Sequence, residues 1–364
     1  MTLAKRLDAA IDAALGSRIV GCVVLVSAGG KRVYARAAGF ADREAGIRVV
    51  ENTVFRLASI TKPIVASTAL RMIDLGLLSL DDKVATHLPY FTPLGPDGSH
   101  PDITVRHLLT HTSGLTYDIP ADVSRGSDPR DLMPLTENLR RLARAPLAFM
   151  PGTQWSYGMS IDVLGGVLAA VNRSDLEAVV AKYVTDPVGM PDTHFFVTDR
   201  ARLSHPYGDS KPEPIRMAEP QQMHNDPANP DAIETFSPKR ILQKDAPQSG
   251  GSGMAGTAGD FLRLLDALQK SFLNPATRGA AFSNQIGDLP RDVPGQRFGF
   301  LGGVIADAAA SGWPQAGALQ WGGIWGNCWI LDPVRKLNMV VYTNTMREGC
   351  NGPFRDEIRD GLYG

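Results

Sequence analysis

Strand-like runs at the two ends of the chain constrain this sequence most, because the sheet they build must be closed from both termini around whatever lies between. Near the start, IVGCVVLVSAGG (19–30) and KRVYARAAGFAD (31–42) are rich in β-branched residues and meet at a Gly-Gly pair, a hairpin signal. Near the end, FGFLGGVIAD, ALQWGGIWGNCWILDP and KLNMVVYTNT carry the same strand texture. TVFRLAS (53–59) reads as a short strand running into SITKPIVASTALRMIDLG, a long helix that ends near Gly76 and has no polar face, so it is expected to be buried. An amphipathic helix opens the chain, a helix capped by Thr257 follows the second glycine cluster, and PFRDEIRDGLYG closes it.

Between about 80 and 240 the texture shifts to Pro-rich loops and short helical patches: VRHLLTHTSGL, RDLMPLTENLRRLARAP and DVLGGVLAAV. The class is therefore α/β, with one domain from residues 1–80 and 240–364 and a mainly helical insertion over 81–239. The Pro- and Asp-rich stretch 206–232 reads as a long surface loop.

Composition excludes several function classes. With 37 Lys+Arg against 38 Asp+Glu and a net charge of −1, there is no basic field for nucleic acid or an anionic membrane. No apolar run approaches the ~20 residues that span a bilayer. Lys5, Arg6, Asp8 and Asp12 interrupt the first apolar stretch, which speaks against a signal peptide and for a cytoplasmic protein. Cys22, Cys328 and Cys350 are odd in number and widely spaced, as buried free thiols are. No cofactor is called for, and the sequence leaves monomer and homodimer open.

Ser59-Ile60-Thr61-Lys62 places a hydroxyl and an amine three residues apart, on one face of a helix. Pro63 is tolerated only in a first turn, so the helix must start close to Ser59, where backbone N–H groups and the macrodipole favour a developing oxyanion. The 20 serines and 10 lysines of this chain make about half of one such match expected by chance. Alone, the motif also fits an N-capping serine followed by a solvated lysine. Tyr157, just before an apolar helix, is placed where a phenol can point into a cleft; a core-edge tyrosine is the plainer reading. For Lys62 to act as a free base its pKa must fall from ~10.4 to near 7, about 4 kcal/mol, and it could share one proton with Tyr157. In QWGGIWGNCWILDP (320–333), Gly322 and Gly323 within a strand pattern indicate close approach to the backbone. A docked substrate edge and an aromatic core strand both fit that pattern.

In this order, LASITKP, ITVRHLLTHTSGL, PGTQWSYGMSIDVLG, SGGSGMAGTAGDFLRLL and WGGIWGNCWILDP resemble the class C β-lactamase and penicillin-binding-protein superfamily, and the resemblance spans almost the whole chain. Within it, the tyrosine motif without its asparagine and the Trp-Gly-Gly strand most resemble the family VIII carboxylesterases and related acyltransferases. The resemblance implies a β-lactamase-like antiparallel sheet flanked by helices. It implies Ser59 as acylated nucleophile, Lys62 and Tyr157 as proton-transfer partners, and the backbone N–H groups of Ser59 and Ile324 as oxyanion hole. Trp321, Gly322, Gly323, Met159 and Trp325 would then contact substrate.

Departures from the superfamily pattern select among substrates. Trp321 and Gly322 stand where Lys-Thr holds a substrate carboxylate, and Met159 stands where an asparagine binds an acyl-side amide. Losing such partners costs ~1–3 kcal/mol each, so uncharged acyl esters are expected to be favoured over β-lactams and D-peptides. Three other patterns carry no chemistry. Gly251-Ser252-Gly253-Met254-Ala255-Gly256 satisfies G-x-G-x-x-G without a preceding strand, and reads as a glycine-rich wall. His107 and His111 lie one turn apart without a third metal ligand, and read as structural. No G-x-S-x-G occurs, so a nucleophile elbow with a Ser-His-Asp triad is not available. The expected activity is serine carboxylester hydrolysis of short- to medium-chain acyl esters, a small-molecule substrate. The alternatives are acyl transfer, β-lactam or D-peptide hydrolysis, and a non-catalytic binding protein.

Overall fold

The computed structural model describes residues 1–128, 132–226 and 229–364, and side chains outside 224–232. Eight strands form one antiparallel sheet: β1 (Gly21–Ala28), β2 (Lys31–Asp42), β3 (Ile47–Arg48), β4 (Gln296–Phe298), β5 (Gly303–Ile305), β6 (Leu319–Gly323), β7 (Asn327–Asp332) and β8 (Leu337–Thr343). Their order is β4-β5-β6-β7-β8-β1-β2-β3. The two chain ends meet where β1 pairs β8 from Cys22↔Thr343 to Ala28↔Leu337. The β1–β2 turn is the Gly29-Gly30 pair, both at positive φ, as a tight hairpin requires.

β1 is apolar from Cys22 to Val26 because both faces are covered. Cys22, Val24 and Val26 join Leu7 and Ile11 of α1 (Leu3–Ala14) and Phe354 and Ile358 of the C-terminal helix in one core. Val23 and Leu25 point the other way, into a larger core with Ile64 and Val65 of α2 (Thr61–Asp74). That core continues without a break into the 81–239 segment, through Leu108 of α3 (Val105–Thr110) and Leu164 and Leu168 of α4 (Ser160–Asn172). It also takes in Phe261 and Leu265 of α5 (Ala258–Gln269), whose N-cap Thr257 accepts from the Asp260 N–H. The final helix is α6 (Pro353–Tyr363).

Local expectations fail in three places. TVFRLAS is a strand only at Phe55–Arg56, paired with Ala255–Gly256, and turns at Ala58 into the segment that carries Ser59. The run 298–307 folds back on itself between β4 and β5, where the Gly299 N–H bonds the Gly302 carbonyl. The expected loop 206–232 carries strand pairs, Tyr207–Gly208 with Ile215–Arg216 and Gln221–Asp226 with Asn229–Phe236, although residues 227 and 228 lie outside the described residues. Pro and Asp density is misleading there because short two-stranded ribbons tolerate such residues at their ends.

Candidate active site

Ser59 sits in a 3-10 turn, Ala58–Ile60, that runs directly into α2. Ala58 is held at φ 44°, a left-handed conformation costly for a residue with a side chain. Its neighbours enforce it: the Leu57 N–H donates to the Met254 carbonyl (2.9 Å), and the Met254 N–H to Thr61 Oγ1 (3.2 Å). The result is a partly exposed serine hydroxyl at the positive end of a buried helix.

Lys62, 4% exposed, spends its three donors on three acceptors: Ser59 Oγ (3.3 Å), Tyr117 Oη (3.1 Å) and the Gly251 carbonyl (2.8 Å). It also lies 4.6 Å above the Tyr157 ring centre. Burial alone pushes this amine down, but Tyr117, Tyr157 and Asp162 favour the ammonium and prevail, so it is held above the ordinary lysine range. A free-base Lys62 would need the opposite shift, and its neighbours here are oxygens on every side. Tyr117 is pushed up by burial, with Lys62 opposing that shift.

Tyr157 is positioned by the HTSG segment. His111, left-handed at φ 57°, accepts the Ser156 N–H on its carbonyl (3.0 Å) and stacks its ring 4.7 Å from the Tyr157 ring. The Gly152 N–H reaches the Thr112 carbonyl (2.7 Å), and Ser113 Oγ meets Ser160 Oγ (2.8 Å). Burial, with Lys62 and Arg291 adding to it, holds His111 well below the usual histidine range, so its imidazole is neutral. His107 caps α3 with Thr104, each backbone N–H meeting the other's side chain.

Ser59, Tyr157, Trp321, Gly322 and Ile324 line one cavity of about 500 Å³. Trp321 Nε1 donates to the Tyr157 hydroxyl at 3.0 Å. Ile324 begins the tight turn from β6 to β7, in which the Gly326 N–H bonds the Gly323 carbonyl (2.9 Å).

Three residues expected at the substrate lie elsewhere. A Cβ on Gly323 would stand 2.3 Å from the Leu57 carbonyl, so what approaches this glycine is the nucleophile turn and not a substrate edge. Met159 is fully buried in the main core, because Gly158 is pressed onto the Leu115 carbonyl and α4 starts inward from there. Trp325, 5% exposed, packs on Phe236 behind Ala58 and braces the turn from the rear. Two residues of the site escape sequence reasoning: Tyr117, whose only signal is its place two residues after HTSGL, and Arg291, which lies in a Pro/Gly loop. The glycine-rich wall proves to be a partner of Lys62: Gly251 accepts from it and is too close to Asp162 Oδ2 for any side chain. A larger cavity of about 770 Å³, between Leu88, Leu135, Arg173 and Lys244, holds none of these groups.

Residues 7–360 match the Beta-lactamase family. The chain is 44% identical to "Esterase EstB" of Burkholderia gladioli over 376 aligned residues, covering 100% of this chain and 95% of that protein. The solved structure of "EstCE1, a hydrolase with promiscuous acyltransferase activity" superposes with a TM-score of 0.94 at 38% identity, covering 100% of this chain and 98% of that one. Unliganded simvastatin synthase (LovD) from Aspergillus terreus has the same fold at 22% identity, with a TM-score of 0.71 over 100% of this chain and 97% of its own.

Proposed function

The chain belongs to the beta-lactamase family, and from that premise we propose that it is a serine carboxylesterase acting on short- to medium-chain acyl esters. Ser59 Oγ attacks the ester carbonyl and passes its proton to Tyr157, which acts in its phenolate form beside the Lys62 ammonium and the Trp321 N–H. Because Lys62 donates to Ser59, the serine's own hydrogen is free to go elsewhere, and the ammonium stabilises the negative charge that builds on the neighbouring oxygens. The N–H groups of Ser59 and Ile324 receive the oxyanion. Collapse breaks the bond to the alcohol, which leaves with the proton from Tyr157; water then attacks the acyl-enzyme, with Tyr157 taking and returning a proton in the same way.

The observation that carries this reading is Lys62, bonded at once to Ser59, Tyr117 and Gly251 beside a cavity that Ser59 and Tyr157 share. The full-length similarity to a protein named as an esterase supports the ester as substrate. Acyl transfer to an alcohol is the second reading, favoured by the likeness to EstCE1.

Hydrolysis of short and medium p-nitrophenyl esters beside a chromogenic cephalosporin, with wild type and Ser59→Ala, tests the assignment. Ester turnover lost in Ser59→Ala is expected, with little cephalosporin cleavage; dominant cephalosporin cleavage overturns it. Adding an alcohol acceptor and measuring the new ester separates transfer from hydrolysis. Among the described residues no helix is long and apolar enough to cross a membrane. The three buried free thiols suit a reducing compartment, and we place the enzyme in the cytoplasm.

A further inference from the structure

Two arginines on the wall of the Ser59 cavity are held by neutral amides. Arg291 Nη1 donates to Gln296 Oε1 (3.3 Å) and to the Arg297 carbonyl (3.3 Å). The same Gln296 oxygen accepts from Gln320 Nε2 (3.1 Å), and Gln320 Oε1 accepts from Arg355 Nη2 (2.5 Å). Both glutamines are buried, so the chain Arg291-Gln296-Gln320-Arg355 fixes two guanidinium groups along one side of the cavity.

Neither guanidinium is in a direct ion pair there, and the one carboxylate that acts on Arg291, that of Asp292, does so from beyond ion-pair distance. Among the described residues no carboxylate lies within ion-pair distance of Arg291 or Arg355, whereas Arg359, on the same wall, is paired with Asp356 and Asp360 at 2.8 Å each. Arg291 is packed among the rings of Trp155 (4.6 Å), Trp321 (5.3 Å) and Phe298 (5.6 Å), and its Nε is buried without a partner. Burial lowers Arg291 to about 10, which leaves it charged at neutral pH. A desolvated cation costs free energy unless an anion completes it. Here the donors are oriented in advance by amides that satisfy hydrogen bonds but leave the charge standing, which is the arrangement that favours a bidentate anion.

Resting on the esterase reading, we propose that Arg291 and Arg355 form a carboxylate subsite of the Ser59 cavity, and that esters bearing a free carboxylate, such as monoesters of short dicarboxylic acids, are the favoured substrate class. With Trp321 and Gly322 in place of Lys-Thr, the superfamily's own anchor for an anion is gone, which by itself predicts a preference for uncharged esters. Two cations reach the same wall from elsewhere in the chain, one before β4 and one on α6, and they reverse that preference.

The test compares kcat/KM within two pairs of esters. In the first pair the carboxylate is on the acyl side: mono-p-nitrophenyl glutarate against p-nitrophenyl valerate. In the second it is on the alcohol side: the butyrate ester of 3-hydroxybenzoate against phenyl butyrate. Wild type is expected to prefer the acidic member of at least one pair by about tenfold, with a preference that shrinks as salt is added. Arg291→Met and Arg355→Met should each lower that ratio by about fivefold or more, and Arg291→Lys should retain part of it. Should Arg291→Met fail to fold, Arg355→Met and the salt dependence carry the same comparison. Turnover of the neutral esters with no preference for either acid, or a ratio unmoved by both variants, overturns the subsite alone. Turnover of none of the four esters overturns the esterase reading and the subsite with it.

Discussion

Trp321 Nε1 donates to the Tyr157 hydroxyl at 3.0 Å, so the residue standing where the superfamily has a charged anchor is bonded directly to the tyrosine that we propose transfers the proton. An indole N–H is a donor only, so this bond is strongest when the phenol oxygen carries negative charge. Trp321→Phe keeps the ring contacts with Tyr157 (5.0 Å) and Phe298 (5.2 Å) and removes the donor. We expect kcat on a neutral ester to fall about tenfold with KM changed less, consistent with the loss of one charge-assisted hydrogen bond. Steady-state kinetics with an unaltered kcat would remove this bond from the mechanism.

Lys62 and Asp162 share one residue, Gly251: its carbonyl accepts from Lys62 (2.8 Å) while its N–H bonds the Asp162 carboxylate, which Ser249 Oγ also reaches (2.5 Å). Burial raises Asp162, with Lys62 opposing that shift, and Asp162 is among the groups that hold Lys62 charged. In the mechanism we propose the ammonium is the active form, so activity is retained below its pKa and lost as pH rises through it. Asp162→Asn removes one of the charges raising that pKa, and the alkaline limb of kcat/KM should therefore move to lower pH. An alkaline limb at the same pH in wild type and variant would show that Asp162 acts on the fold alone.

Much of this architecture is legible in the amino-acid sequence alone, for reasons that differ by element. The Gly29-Gly30 hairpin and the Thr257 cap are local, and their residues state their geometry by themselves. Ser59 and Lys62 are three residues apart on one helix, so their meeting needs only helical periodicity. Tyr117 and Gly251 reach Lys62 across 55 and 189 residues, a proximity that no local pattern encodes. Arg291 belongs with them, since its neighbours come from three separate segments. Met159 and Trp325 escape for another cause. Aromatic and sulfur side chains look alike at a core and at a pocket, and only the turns at Gly158 and Ile324 decide which way they face.

Gly323→Ala tests the packing of β6 on the nucleophile turn. The new methyl group would meet the Leu57 carbonyl at 2.3 Å and Ile60 Cγ1 at 3.2 Å, and backbone on one side cannot swing away as a side chain would. Overpacking of this kind typically costs about 1–3 kcal/mol, and the strain falls on the segment that carries Ser59. We expect a lower melting temperature together with at least a tenfold fall in kcat. Gly279→Ala, on an exposed helix with nothing within 4 Å of the added carbon, should instead be neutral or stabilising by about 0.5–1 kcal/mol. Equal melting temperatures for the two variants would contradict the close approach.

His194 gives a pH signature separate from catalysis. Its Nδ1 meets Glu177 Oε1 at 2.7 Å, and this hydrogen bond, partly offset by burial, raises the imidazole from 6.5 to about 9. A folded-state pKa above the unfolded one contributes stability that is fully present below about pH 6.5 and is lost as pH rises through about 9. The ring is nearly half exposed, so the contribution is modest, but its location matters. The His194 backbone pairs with Ala255 in both directions, next to the Met254 carbonyl that holds Leu57. In urea melts, wild type should exceed His194→Gln in stability most at pH 6, with the gap closing towards pH 9.5. A gap of constant size across that range would mean that the histidine contributes by packing, with no protonated pair to Glu177.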